Sequence, residues 1–199
     1  MKLSNLILLS IASLAIFYIQ LWDDQIVAPL HFSLLSLCAV YAIHKKNINM
    51  AHIAMFILAI TVFNRVVYET GLINDVTPSG NLFLQGLFIY GTNLLFSLAL
   101  ALVLIFRVQL SRTLSRSVNI QLTHFDGIFH WVFIYMAVIN LIALVEYTAW
   151  SYFEMKSWRL IYNNFEGLIY IGWALCCGAL LTMMICDTKA NNSGETSTL

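Results

Sequence analysis

The chain has 199 residues, of which 60% are hydrophobic and 10% charged, with ten basic and ten acidic side chains. A soluble domain carries about a quarter charged residues and cannot hide so much apolar surface, so the composition excludes an ordinary water-soluble fold. Zero formal charge also argues against a nucleic-acid partner, which needs a basic face to neutralise phosphates.

Roughly 20 apolar residues at 1.5 Å each cross the hydrocarbon core of a bilayer, and the sequence holds six runs of about that length. The expected fold class is all-α: a polytopic transmembrane bundle of six helices over residues 1–186, with a flexible polar tail at 187–199. Two prolines and nine glycines leave no room for a linker between domains.

The first run, about 3–22, follows Lys2 and ends at Asp23 and Asp24. Ser13, Leu14 and Ala15 offer small residues where a signal peptidase would cut, which makes cleavage near residue 15 the rival reading. Apolar residues continue to Leu21, past what an h-region needs, and this favours a retained helix. The second run, about 26–43, carries Pro29 near its first turn, where a missing N–H is tolerated. Only Asp23, Asp24 and Gln25 separate these two runs, so a tight antiparallel hairpin is expected. The third run, about 50–68, has Arg65 in its last turns, and a Thr77-Pro78-Ser79-Gly80 turn leads to the fourth, about 82–106.

Arg107, Arg112 and Arg116 close the fourth run. Leu110-Ser111-Arg112 is echoed by Leu114-Ser115-Arg116, placing both arginines on one helical face. This reads as a helical extension or interfacial segment that meets anionic headgroups or a cytoplasmic partner. The fifth and sixth runs cover about 127–150 and 165–186. Trp22, Trp150, Tyr152, Trp158 and Tyr162 gather at the ends assigned to one side, as an aromatic belt does.

Lys2, Lys45, Lys46, Arg107, Arg112, Arg116 and Lys189 fall on one side of this topology, against Arg65, Lys156 and Arg159 on the other. The excess of basic residues in short loops marks the cytoplasmic side, so both the N and C termini are expected there. Small size and minimal loops point to a bacterial-type inner (plasma) membrane. The first three spans show no resemblance to the last three, so the inverted-repeat signature of many transporters is missing.

Charged groups inside a span face the bundle interior or water, which singles out Arg65, Glu69 and Glu146. All three sit near outer span ends, with Glu146 about one turn inside Trp150 and Arg65 one turn before Glu69. Together with Asn64, Gln85, Asn93 and Glu166 they are candidates for an outward-facing pathway for a small polar solute or cation. The opposing reading pairs Arg65 with a carboxylate to lock two helices while the others reach for the interface. Gly86, Tyr90, Asn93, Ser97 and Ala101 form a stripe on the fourth span, matched by Gly167, Ala174, Gly178 and Thr182 on the sixth. Small residues let helices approach closely, so Gly86, Ser97, Ala174 and Gly178 are expected packing positions. Asn140 is ambiguous between the two roles.

His52 and His130 begin the third and fifth spans at similar depth, an arrangement open to a b-type haem; His44 and His124 crowd the same boundary as ordinary interfacial residues. Cys38, Cys176, Cys177 and Cys186 lack the spacing of a metal or redox site and read as packing residues. No cofactor and no metal are expected. G-x-S-x-G, H-E-x-x-H and a phosphate-cradling glycine loop are all missing from the sequence, so nothing in it argues for an enzyme. Two functional readings stand: a transporter or channel for a small polar solute or cation, or a non-catalytic membrane subunit that packs against another membrane protein or its own copies.

Overall fold

Three residues, Lys45 to Asn47, turn the chain between α1 (Asp24–His44) and α2 (Ile48–Glu69) in the computed structural model. Asn47 N donates to Ala42 O at 2.9 Å and Lys46 N to Ile43 O at 3.0 Å, the bond pattern that closes a helix through a left-handed residue. Lys46 fills that position at φ 56°, unusual for a side chain larger than glycine. Asn47 then opens α2, its side-chain oxygen accepting from Met50 N at 3.1 Å. One residue therefore ends one helix and caps the next, which makes the pair antiparallel.

The structure describes residues 24–73, 81–115, 120–123, 125–153 and 160–196. The expected span at 3–22, the Thr77–Gly80 turn, Arg116, His124 and Trp158 lie outside the described residues. The remaining helices are α3 (Leu82–Ile105), α4 (Arg107–Ser115), α5 (Asp126–Phe153) and α6 (Leu160–Thr196). All the described elements are helical, and five of the helices are long and apolar enough to cross a membrane. The sixth is α4, nine residues long and too short to cross. This is the build of a multi-pass integral membrane protein.

Two boundaries differ from expectation. α6 starts at Leu160 instead of Phe165, because Glu146 on α5 accepts from Ile161 N at 3.3 Å and from Tyr162 N at 2.8 Å. A carboxylate there satisfies N–H groups that a helix start leaves without partners and faces the positive end of its dipole. α6 also continues through the tail to Thr196. Asp187 Oδ1 accepts from Asn47 Nδ2 at 2.9 Å, and Thr188 bonds Tyr41 at 2.6 Å, so the first turn beyond Cys186 is held against α1 and α2.

The five long helices close into a ring in the order α1, α2, α3, α5, α6 and back to α1. α3 runs along α5 most extensively; a Cβ at Gly86 would overlap the Tyr147 ring, so the close approach depends on that glycine. Ser97, Ala174 and Gly178 are likewise buried. Outside the ring, Val40, Phe63, Leu95 and Leu102 are exposed, as lipid-facing residues are.

The interior of the ring changes character along its axis. Toward the Lys45 end, Leu35, Cys38, Ile53, Ile57, Leu104, Phe129, Cys176 and Leu180 form a dry, fully packed core. That end is fastened by Arg107, which is 1% exposed. Its Nε lies 2.6 Å from Asp126 Oδ1, and its Nη2 donates at 2.7 Å to both Asp126 Oδ2 and Gln121 O. Nη1 donates to Asn49 Oδ1 at 3.2 Å, which brings in the start of α2. Arg107, grouped with Arg112 and Arg116 in the sequence as a lipid or partner contact, is thus interior, because Asp126, Gln121 and Asn49 surround it. Arg112 is exposed and donates to Ile120 O at 3.2 Å.

Candidate solute-binding cavity

Toward the opposite end the ring encloses a cavity of about 500 Å³, to which all five long helices contribute. That volume lies within the range of small-molecule sites. Each helix lines it with a single face: Thr61, Asn64, Arg65 and Tyr68 on α2, for example, or Ile89, Asn93, Ser97 and Leu100 on α3. From Ile89 to Leu100 the lining follows about three helical turns, or roughly 16 Å of depth.

Three levels follow from the residues. The mouth carries Arg65 and Glu166, both exposed. Arg65 Nε donates to Glu69 Oε1 at 2.7 Å along the same helix, with side chains 45% and 62% exposed, so this pair contributes little to stability. Just inside, Tyr68 donates to Ile89 O at 2.8 Å and ties α2 to α3. Leu100, Phe133 and Met136 form the floor, and beneath them Leu104 and Phe129 belong to the dry core. Among the described residues the cavity is therefore blind.

Its middle has two unlike walls. On one, Asn140 Nδ2 donates to Met136 O at 2.8 Å and to Ser97 Oγ at 3.3 Å, while Ser97 Oγ donates to Asn93 O at 2.8 Å. Asn64 Nδ2 donates to Asn93 Oδ1 at 3.2 Å, extending the polar line from α5 across α3 to α2. A carbonyl can only accept, so the Met136 bond fixes which end of the Asn140 amide is nitrogen. Asn140 Oδ1 and Asn64 Oδ1 are left buried with no hydrogen-bond partner among the described residues. The other wall, from α1 and α6, is aromatic. His31 stacks on Trp173 at 4.7 Å and 10°, its Nδ1 lies 3.3 Å from Cys177 Sγ, and Tyr170 meets Trp173 at 5.5 Å.

Of the residues singled out in the sequence, Arg65, Asn93 and Glu166 come together in this lining, joined by Asn64, Ser97 and Asn140. Glu69 stands beside the mouth as the partner of Arg65. Gln85 sits in the first turn of α3 outside the lining, its N–H bonded to Asn81 O at 3.1 Å. Glu146 is 8% exposed and faces the start of α6. His52 and His130 are near the Lys45 end; His130 Nδ1 bonds Asp126 O at 3.0 Å, and His52 Nδ1 is buried without a partner among the described residues. No three metal-ligating side chains converge among the described residues.

Sequence reasoning missed Thr61, Tyr68, Tyr170 and Trp173 as lining residues, and gave His31 no part in a solute site. The available signal was weak: Phe165, Ile169, Tyr170 and Trp173 share one helical face, but they read as ordinary apolar span. No protein-family model, no characterised protein and no solved structure matches the chain.

Proposed function

We propose that this chain is a membrane carrier that takes a small polar solute into the cavity from the Arg65 end. The observation that supports this is the blind shape: the closed ring holds polar groups at membrane depth in one half and a dry core in the other. Polar groups inside a bilayer are expensive and mark substrate or ion paths more often than plain structure. A channel needs a continuous path, whereas this cavity ends on Leu100, Phe133 and Met136. In the carrier reading Arg65 and Glu166 screen what enters, and Asn64, Asn93, Ser97 and Asn140 hold it. Glu69 acts through Arg65, while Glu146 positions α6.

Lys45, Lys46, Arg112 and Lys189 share the end opposite the mouth, which by the positive-inside tendency is cytoplasmic. The cavity then faces outward, and a bacterial-type inner membrane remains the proposed setting.

Thr61→Cys in a Cys186→Ser background tests the proposal, since Cys38, Cys176 and Cys177 are buried. A membrane-impermeant thiol reagent should label the introduced thiol when applied at the Arg65 side of oriented vesicles and spare it when applied at the Lys45 side. Leu104→Cys, in the dry core, should stay unlabelled from both. Equal labelling at position 61 from the two sides would mean an open channel; none from either side would remove the cavity reading.

A further inference from the structure

The state of each polar group in the lining narrows what the cavity holds, and the argument rests on the cavity reading above. Most of those groups are spent on the protein itself. Asn140 Nδ2 is shared between Met136 O and Ser97 Oγ, while Ser97 Oγ donates to Asn93 O, Thr61 Oγ1 to Ile57 O and Tyr68 to Ile89 O. Asn93 is the exception. Its Oδ1 accepts from Asn64 Nδ2, and its own Nδ2, at the other end of the amide, has no partner among the described residues and is not closed off by its neighbours. Exchanging the ends of both amides would put the Asn64 nitrogen where its buried oxygen sits, with no acceptor for either N–H, and such orphans are rarer than under-used carbonyls. Asn93 thus offers the cavity a hydrogen-bond donor, and the bond from Asn64 sets its direction.

Arg65 and Glu166 stand exposed at the mouth, and deeper in the lining holds no Asp, Glu, Lys or Arg among the described residues. The buried His31 is taken up between Trp173 and Cys177. A charge placed there would lack a counter-ion in a low-dielectric interior. Apolar side chains, among them Phe32, Ile60, Phe96, Phe133, Ile169 and Trp173, supply most of the rest. A polyol would leave most of its hydroxyls unpaired against them, whereas a single acceptor on an apolar body is matched on both counts. We infer that the occupant is an uncharged organic molecule with a largely apolar body and a carbonyl-type acceptor, which it sets on Asn93 Nδ2 with its body among those apolar side chains.

Five probes separate the terms: acetophenone is neutral with a carbonyl, ethylbenzene neutral without one, benzoate an anion, benzylammonium a cation, and urea a carbonyl compound without an apolar body. Each is tested for slowing thiol labelling in the Thr61→Cys protein. Acetophenone should protect at concentrations about fiftyfold or more below those needed for the two ions. Urea should not protect at the concentrations at which acetophenone does. Adding Asn93→Leu should raise the acetophenone concentration needed by about fivefold, the effect of one buried hydrogen bond, and leave that of ethylbenzene unchanged. Should that variant fail to fold, Asn64→Leu, which removes the bond that directs the Asn93 amide, should raise the concentration needed for acetophenone alone.

Protection by acetophenone that these substitutions leave unchanged, or protection by urea or either ion at equal or lower concentration, would overturn the inference and leave the cavity standing. Protection by none of the five, with position 61 still labelled from the Arg65 side, would do the same. Absence of labelling altogether would remove the cavity and the inference together.

Discussion

Asp126→Ala takes away the carboxylate that holds Arg107 at the Lys45 end of the ring. The guanidinium, 1% exposed in the intact protein, keeps Gln121 O at 2.7 Å and Asn49 Oδ1 at 3.2 Å as partners. Breaking a buried ion pair by removing one partner costs about 3–5 kcal/mol. The two surviving contacts put this case at the lower end, about 3 kcal/mol, or a roughly hundredfold fall in the folded-to-unfolded ratio. Arg107→Met leaves Asp126 with Thr123 N at 2.5 Å and Thr123 Oγ1 at 3.0 Å, a better-satisfied orphan, so its cost is no larger. Joining Arg107→Met to Asp126→Ala removes both charges together, so neither is left buried without its partner. The double variant should therefore recover at least about 2 kcal/mol relative to the sum of the singles. Unfolding in mixed micelles with increasing SDS, followed by circular dichroism, measures all four proteins. An Asp126→Ala protein that unfolds with wild type, or a double variant whose loss equals the sum of the singles, would refute the claim that this pair fastens the closed end.

Two smaller effects follow from the helix ends. Glu146→Gln keeps an acceptor for one N–H of α6 but removes the charge at its N-terminus, and should lower stability by about 1 kcal/mol in the same assay. Labelling of the Thr61→Cys thiol should be unchanged by that substitution, because Glu146 lies outside the cavity lining; altered labelling would return Glu146 to the site. Lys46→Gly should stabilise the protein. The left-handed backbone at φ 56° costs a residue with a side chain about 1–2 kcal/mol, while glycine loses roughly 0.5–1 kcal/mol in chain entropy. A net gain of about 0.5–1 kcal/mol is expected, and a lower midpoint would count against the turn geometry.

Five long apolar helices were legible in the sequence, since a bilayer demands them whatever their partners. What escaped was azimuth, the direction in which each face looks once the ring closes. Spacing puts Glu146 and Tyr135 on one face of α5 and Asn140 near another, yet only the position of α6 decides that Glu146 becomes a cap while Asn140 meets the cavity. Arg107 was misjudged for a related reason. A basic residue at a span end reads as interfacial, and its carboxylate partner stands nineteen residues further on in a segment of its own. Trp173 and Tyr170 show the same blindness from the apolar side, because an aromatic residue lining a cavity and one filling a core look alike until the void between helices is known.

The two halves of the ring are written on the same helices. α3 presents Asn93 and Ser97 to the cavity, then Leu100 at its floor and Leu104 in the dry core. α5 runs the other way, from Asp126 at the latch through Phe129 and Met136 to Asn140. If the occupant is to leave at the Lys45 end, the contacts of Arg107 with Asp126, Gln121 and Asn49 must part with the apolar core above them. A ligand shifts such an equilibrium only by its differential affinity for the two states. Reversing a hundred-to-one bias needs about 5.5 kcal/mol, more than one hydrogen bond supplies. A carrier built this way must draw the rest from contacts that form only as the mouth closes, and Arg65 and Glu166, on α2 and α6 at the rim, are the charged side chains placed to make them.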